Sequence, residues 1–146
     1  MRDKFFEHMA REFSKGNLRK AAERFNYPSA IYLGTEALLY HSPKEMGEAL
    51  ATYKKKLATF EHYKTMAQVV ATTPKRRDKQ IIWVNWLHYD RSGNEIEKSS
   101  IKYFCCDTPD GGFRIQLAEY ITAPSVCSID RDAGEASHTT AFAHWN

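Results

Sequence analysis

The chain has 146 residues, 42% apolar and 13% aromatic, enough for one domain with a sizeable core and too few for two. Twenty-one Lys and Arg stand against eighteen Asp and Glu, and the resulting +3 is too small and too interspersed to read as a nucleic-acid binder. No apolar run approaches the ~20 residues of a membrane span. The opening stretch MRDKFFEHMAREF carries acids and no apolar core of a signal peptide, and three cysteines, an odd count, suit a reducing, cytoplasmic setting rather than a disulfide framework.

In chain order, Phe5, Phe6, Met9 and Phe13 recur at helical spacing. Gly16 stands where a helix C′ residue belongs and Asn17 where an N-cap belongs. Leu18, Ala21, Ala22 and Phe25 repeat the helical pattern, and Tyr27-Pro28 stops it, because the residue before proline is pushed out of the α region. Residues 30–33 and 35–40 read as two short extended pieces broken at Gly34. Ser42-Pro43-Lys44-Glu45 is a capping box with proline at the first helical position. Met46, Ala49, Leu50, Tyr53, Leu57 and Phe60 then line one helix face, with Lys54, Lys55 and Lys56 near the end where the dipole favours cations. From His62 the period falls to two, predicting strands over 62–72, 79–90, 95–106 and 113–123. The links between them are turn chemistry, Arg91-Ser92-Gly93-Asn94 and Pro109-Asp110-Gly111-Gly112 among them, so the sheet is an antiparallel meander. The domain is expected to end at about residue 124, with 125–146, small and polar, as a loosely held tail.

Phe25-x-Tyr27-Pro28-x-x-Ile31-Tyr32, the Ser42-Pro43-x-Glu45 helix start and Ile81-Ile82-Trp83-Val84-Asn85-Trp86, in this order of elements, resemble the SnoaL-like / nuclear transport factor 2-like superfamily, also called ketosteroid-isomerase-like. The resemblance spans about residues 1–123 and implies an α+β class: a cone-shaped α+β roll, three N-terminal helices packed on a curved, mainly antiparallel sheet, with a ligand pocket at the open end. Members include isomerases, polyketide cyclases, dehydratases, non-catalytic binders and dimerisation modules, so the resemblance speaks for fold more than for function. The family's ketosteroid isomerases carry a tyrosine on the first helix. Phe6 and Phe13 offer no hydroxyl there, so that oxyanion hole does not carry over.

Turn lengths set the expected register. The 90–95 hairpin pairs Ile82 with Tyr103, Val84 with Ile101, Trp86 with Ser99 and His88 with Glu97. The next hairpin pairs Tyr103 with Leu117, Ile101 with Glu119 and Ser99 with Ile121. The inner face then holds Ile82, Val84, Trp86, His88, Glu97, Ser99, Ile101, Tyr103, Ile115, Leu117, Glu119 and Ile121. Glu119, between Leu117 and Ile121, is the first candidate catalytic residue, since a desolvated carboxylate rises towards the range of a general base. His88 with Glu97 is the second, as an imidazole–carboxylate dyad whose partner raises the ring's pKa. Each has a structural alternative, an ion pair for Glu119 and an ordinary cross-strand pair for His88 and Glu97. Phe13, Trp86, Ile101 and Tyr103 are the expected walls of a ligand site, and Tyr32 or Tyr103 a donor to a developing oxyanion. No histidine or cysteine spacing suits a metal, and Gly111-Gly112 opens no helix, so neither a metal nor a cofactor is expected.

Three functions compete: a cofactor-independent isomerase, cyclase or dehydratase acting on a small apolar carbonyl compound; a non-catalytic binder of a small apolar molecule; and a dimerisation module whose cone is filled by side chains. A cavity of ~300 Å³ or more favours the first two. The outer sheet face, with Trp83, Leu87, Tyr89, Phe104, Cys106 and Tyr120, is expected to pair two copies into a homodimer; the alternative is that Phe142 and Trp145 of the tail fold back over it.

Overall fold

The computed structural model describes residues 2–125. Helix α1 (Arg2–Lys15) and the short α2 (Leu18–Ala22) precede β1 (Phe25–Leu33) and β2 (Glu36–Tyr40); α3 (Pro43–Ala58) is followed by β3 (His62–Thr72), β4 (Lys79–Asp90), β5 (Glu95–Asp107) and β6 (Phe113–Thr122). The six strands form one sheet in the order β2-β1-β6-β5-β4-β3. Every neighbouring pair is antiparallel except β1 and β6, which run parallel. The class is α+β, as the periodicity indicates.

The local signals explain the element ends. Gly16 has φ +82°, and the bonds Asn17 N–H to Glu12 C=O and Gly16 N–H to Phe13 C=O close α1 in a Schellman motif, which a residue with a Cβ resists. Asn17 follows as the N-cap of α2 but its side chain makes no capping bond. At α3 the cap forms as expected: Ser42 Oγ accepts from Glu45 N–H at 3.2 Å, and Glu45 Oε1 accepts from His41 N–H at 2.7 Å. Phe60 falls beyond the end of α3 and is exposed.

Two elements differ from expectation. The second helix ends at Ala22, and Phe25 instead begins a strand, buried and paired with Ile115 of β6. Helical apolar spacing over eight residues is too short to outweigh a parallel ladder that buries Phe25 and gives the Arg24 carbonyl the Ile115 N–H at 2.9 Å. The second difference is a β-bulge in β6. Near the turn the expected register holds, with Cys105 opposite Ile115, but Phe104 lies opposite Leu117, so Gln116 is an extra residue. Beyond it every side chain changes face. The Gln116 carbonyl, at the bulge, accepts from the buried Ser29 hydroxyl of β1 at 3.0 Å.

The core lies between the helices and the inner face of the sheet. Phe6, Met9 and Phe13 of α1 and Met46, Leu50, Tyr53 and Leu57 of α3 meet Ile82, Val84, Trp86, Ile101, Tyr103, Ile115 and Ala118, all buried. Phe6 stacks obliquely on Tyr103, with ring centroids 5.0 Å apart. Among the described residues no helix is long and apolar enough to cross a membrane.

Candidate functional site

The helices leave a cavity of about 40 Å³ over the middle of the sheet. Its apolar walls are Met9, Phe13, Ala21, Leu50, Trp86 and Ile101; its polar contributors are Tyr53, Thr65, His88, Ser99, Tyr103 and the half-buried Tyr120. That volume holds a few waters or one small group, well below the ~300 Å³ of a site for a drug-sized molecule.

Four expected wall residues, Phe13, Trp86, Ile101 and Tyr103, line this cavity, as does His88. The β4–β5 register is the expected one, including His88 opposite Glu97. The β6 residues depart from expectation. The bulge turns Ala118 and Tyr120 inward and places Glu119 on the outer face opposite Lys102 and beside Tyr32, while Ile121, at a second register shift, is 58% exposed. Glu119 is therefore not a carboxylate on an apolar inner face, and it does not reach the cavity. Tyr32 shares its fate: Ile31 takes the buried face of β1, and Tyr32 is 40% exposed on the other.

His88 and Glu97 are both buried, 3% and 4% exposed, but they do not form a hydrogen-bonded dyad. Glu97 accepts from the Ser125 N–H at 2.6 Å and the Ser125 hydroxyl at 2.8 Å. His88 Nδ1 lies 2.6 Å from Thr65 Oγ1, and its Nε2 lies 3.3 Å from Tyr53 Oη. With hydroxyls rather than a carboxylate at its nitrogens, the ring is not raised. Burial, then the neighbouring His62 and Lys54, push it down to about 3, so it is neutral near pH 7. His62 extends the set, with Nε2 2.7 Å from the same Thr65 Oγ1. Burial and then Lys54 lower it to about 4 against an opposing backbone hydrogen bond at Lys64. Burial also lowers Lys54, whose ammonium donates to the Ser14 carbonyl at 3.2 Å, near the end of α1, and lies 5.4 Å from the centre of the Phe13 ring. Tyr103 Oη accepts from Trp86 Nε1 at 2.8 Å, and burial carries its phenol far above the usual range, which makes it a fixed wall rather than an acid.

Sequence reasoning missed Tyr53, His62 and Thr65. The legible signal was Tyr53 itself, a phenol on the apolar face of α3, because a buried hydroxyl needs a polar partner. Thr65 faces inward because β3 pairs it with His88. Among the described residues no group of three or more His, Cys, Asp or Glu is placed to hold a metal ion.

No family model matches the chain, and no curated protein does. Solved structures do. An NTF2-like protein with a cystatin-like fold from Novosphingobium aromaticivorans superposes with TM-score 0.62 at 10% identity over 81% of this chain and 77% of its own. A ketosteroid isomerase-like protein from Erwinia carotovora gives 0.52 at 10% identity over 78% and 88%. A putative calcium/calmodulin-dependent protein kinase II association domain from Xanthomonas campestris gives 0.57 at 11% identity over 80% and 81%. Identities this low speak for the fold alone, and the fold of this chain is that of the NTF2-like, ketosteroid-isomerase-like proteins.

Proposed function

We propose that the chain is a binding domain for a small, mostly apolar molecule held in the cone, its body against Phe13, Trp86 and Ile101 and its polar group at His88. The observation behind this reading is the convergence of an imidazole and two hydroxyls, His88, Tyr53 and Thr65, at one side of a cavity whose other walls include Met9, Phe13, Leu50, Trp86 and Ile101. Binding is favoured over catalysis by the lowered ring: a base whose conjugate acid has a pKa of about 3 holds a proton taken from carbon poorly. At about 40 Å³ the closed cavity falls short of the size set above for a ligand site and of the room one ring needs, so a one-ring ligand enters only as the lining moves, Tyr120 being its half-buried member. Phenol is a suitable probe. Saturable shifts of the Ile101 methyl and Trp86 indole resonances are expected, and Ala21→Leu, which fills the cavity from α2, should abolish them in a protein that still folds. Phenol shifts that survive Ala21→Leu refute the site.

A second reading concerns self-association. On the outer face the Lys102 ammonium lies between Trp83 and Phe104, 5.7 Å and 5.0 Å from their ring centres, and Leu87 and Leu117 stand half-buried on the same side. We infer that two copies pair through this patch, a larger apolar cluster than a solvated sheet face carries. The bulge removes Tyr120 from the patch and adds Leu117; Phe142 and Trp145, the alternative cover, lie outside the described residues. Light scattering should show a dimer that Trp83→Glu dissociates, and a monomeric parent refutes the pairing.

A further inference from the structure

Strand β3 forms one edge of the sheet, with no strand beyond it among the described residues. A single helix side chain shows which of its backbone groups face outward. Ser14 Oγ of α1 accepts from the Thr65 N–H at 2.9 Å and lies 3.3 Å from the Thr65 carbonyl. The Thr65 backbone therefore points away from β4, and the helix fills the place that a further strand would take. Pairing with β4 is unbroken from Lys64 to Val69, and backbone direction alternates along a strand. The N–H and C=O of Ala67 and Val69 thus point outward as well, and among the described residues no side chain caps them. Natural edges are blunted by charge or proline. Residues 65–72 carry neither, and Met66 and Val70 are exposed.

Along this edge α1 and β3 border an open cleft of about 330 Å³. Glu7, Arg11 and Lys15 stand on its helix side, Lys64 and Met66 on its strand side. Three cations thus face one carboxylate, in a chain whose net charge is only +3. Arg11, Lys15 and Lys64 are exposed, and among the described residues none of them has an ion-pair partner.

We propose that the α1–β3 cleft docks an extended acidic segment of a partner protein, added to β3 as a further strand. Main-chain bonds to Ala67 and Val69 supply the attachment, and alternate side chains supply the selection. Side chains on the helix side of the added strand face Arg11 and Lys15, and those on the other side lie beside Met66, so the segment alternates acidic and apolar residues. A second copy of this chain does not suit the edge, because pairing like edges brings both sets of cations together. A polynucleotide has the charge but lacks the regularly spaced amides that answer outward carbonyls.

The probe is a fluorescein-labelled octapeptide of alternating glutamate and valine, titrated against the full chain and read by anisotropy. Saturable binding is expected, weakened several-fold by raising salt to about 0.5 M. The lysine–valine octapeptide should bind at least about tenfold more weakly, and Arg11→Glu with Lys15→Glu should weaken the glutamate probe by about as much. Hydrogen exchange of the ¹⁵N-labelled protein should slow at the Ala67 and Val69 amides when the probe is bound. Ala67→Pro removes an outward N–H and no bond to β4, so it should abolish binding in a folded protein. A glutamate–valine probe N-methylated at every residue makes the same test on the unaltered protein, and it should not bind. Absence of saturable binding, equal binding of the glutamate and lysine probes, an N-methylated probe that binds as well, or binding that leaves the Ala67 and Val69 amides unchanged overturns the proposal. So does slow exchange of those two amides in the free protein, since the edge is then already filled by the chain itself or by a second copy.

Discussion

Replacing His88 by Gln should remove much of the protein's sensitivity to mild acid. The folded chain keeps this ring neutral down to about pH 3, because burial and the neighbouring His62 and Lys54 oppose its charge. An unfolded chain takes up the proton near 6.5. Below that pH the unfolded state binds more protons than the folded one, so stability falls as pH falls; above about pH 7 this ring costs nothing. At pH 5, about 1.5 units below the unfolded value, the loss from this one ring is about 2 kcal/mol. His62 adds a loss of the same sign that levels off near pH 4, reduced because the ring is half exposed and because the two histidines are coupled. Urea denaturation of parent and His88→Gln at pH 7 and pH 5, followed by tryptophan fluorescence, isolates the ring, since every other titrating group is shared. The parent should lose about 2 kcal/mol more than the variant between the two pH values. The substitution itself costs stability at both, because an amide replaces the ring against Thr65 and Tyr53, so only the pH difference is diagnostic. Equal losses in the two proteins refute the neutral, buried His88.

Three further outcomes are expected. Ser42→Ala should lower stability by about 1 kcal/mol in chemical denaturation, because the Glu45 N–H loses its acceptor; an unchanged midpoint contradicts the cap. Ser29→Ala should cost about 1 kcal/mol, because it removes a buried hydrogen bond to the Gln116 carbonyl at the bulge of β6, and hydrogen exchange of the amides flanking Gln116 should quicken. Glu119→Ala should change stability by less than about 0.5 kcal/mol and leave phenol binding intact, as suits a half-exposed residue on the outer face; loss of phenol binding restores Glu119 to the site.

Local patterns along the chain specify the elements and most of their ends. Gly16 and Ser42 mark helix termini through their own backbone chemistry, and alternation together with turn residues places all four meander strands within a residue or two. The β4–β5 register is legible too, because a short hairpin loop leaves the pairing little freedom, and with it the inward positions of Trp86, His88, Ile101 and Tyr103. The face of β6 is not. One extra residue, Gln116, inverts the alternation, and the group that accommodates it, the Ser29 hydroxyl, lies 87 positions away. A local pattern contains no trace of so distant a partner, and alternation alone therefore puts Glu119 and Leu117 on the wrong side. The polar half of the site has the same origin. His88 meets Thr65 of β3 and Tyr53 of α3, not the Glu97 directly across the ladder, since Tyr53 comes from a helix stacked over the sheet and Thr65 from the next strand, while Glu97 turns to Ser125. Whether the ring is raised by a carboxylate or lowered by burial depends on those contacts, and it is the packing of α1, α3 and β3 around β4 that supplies them.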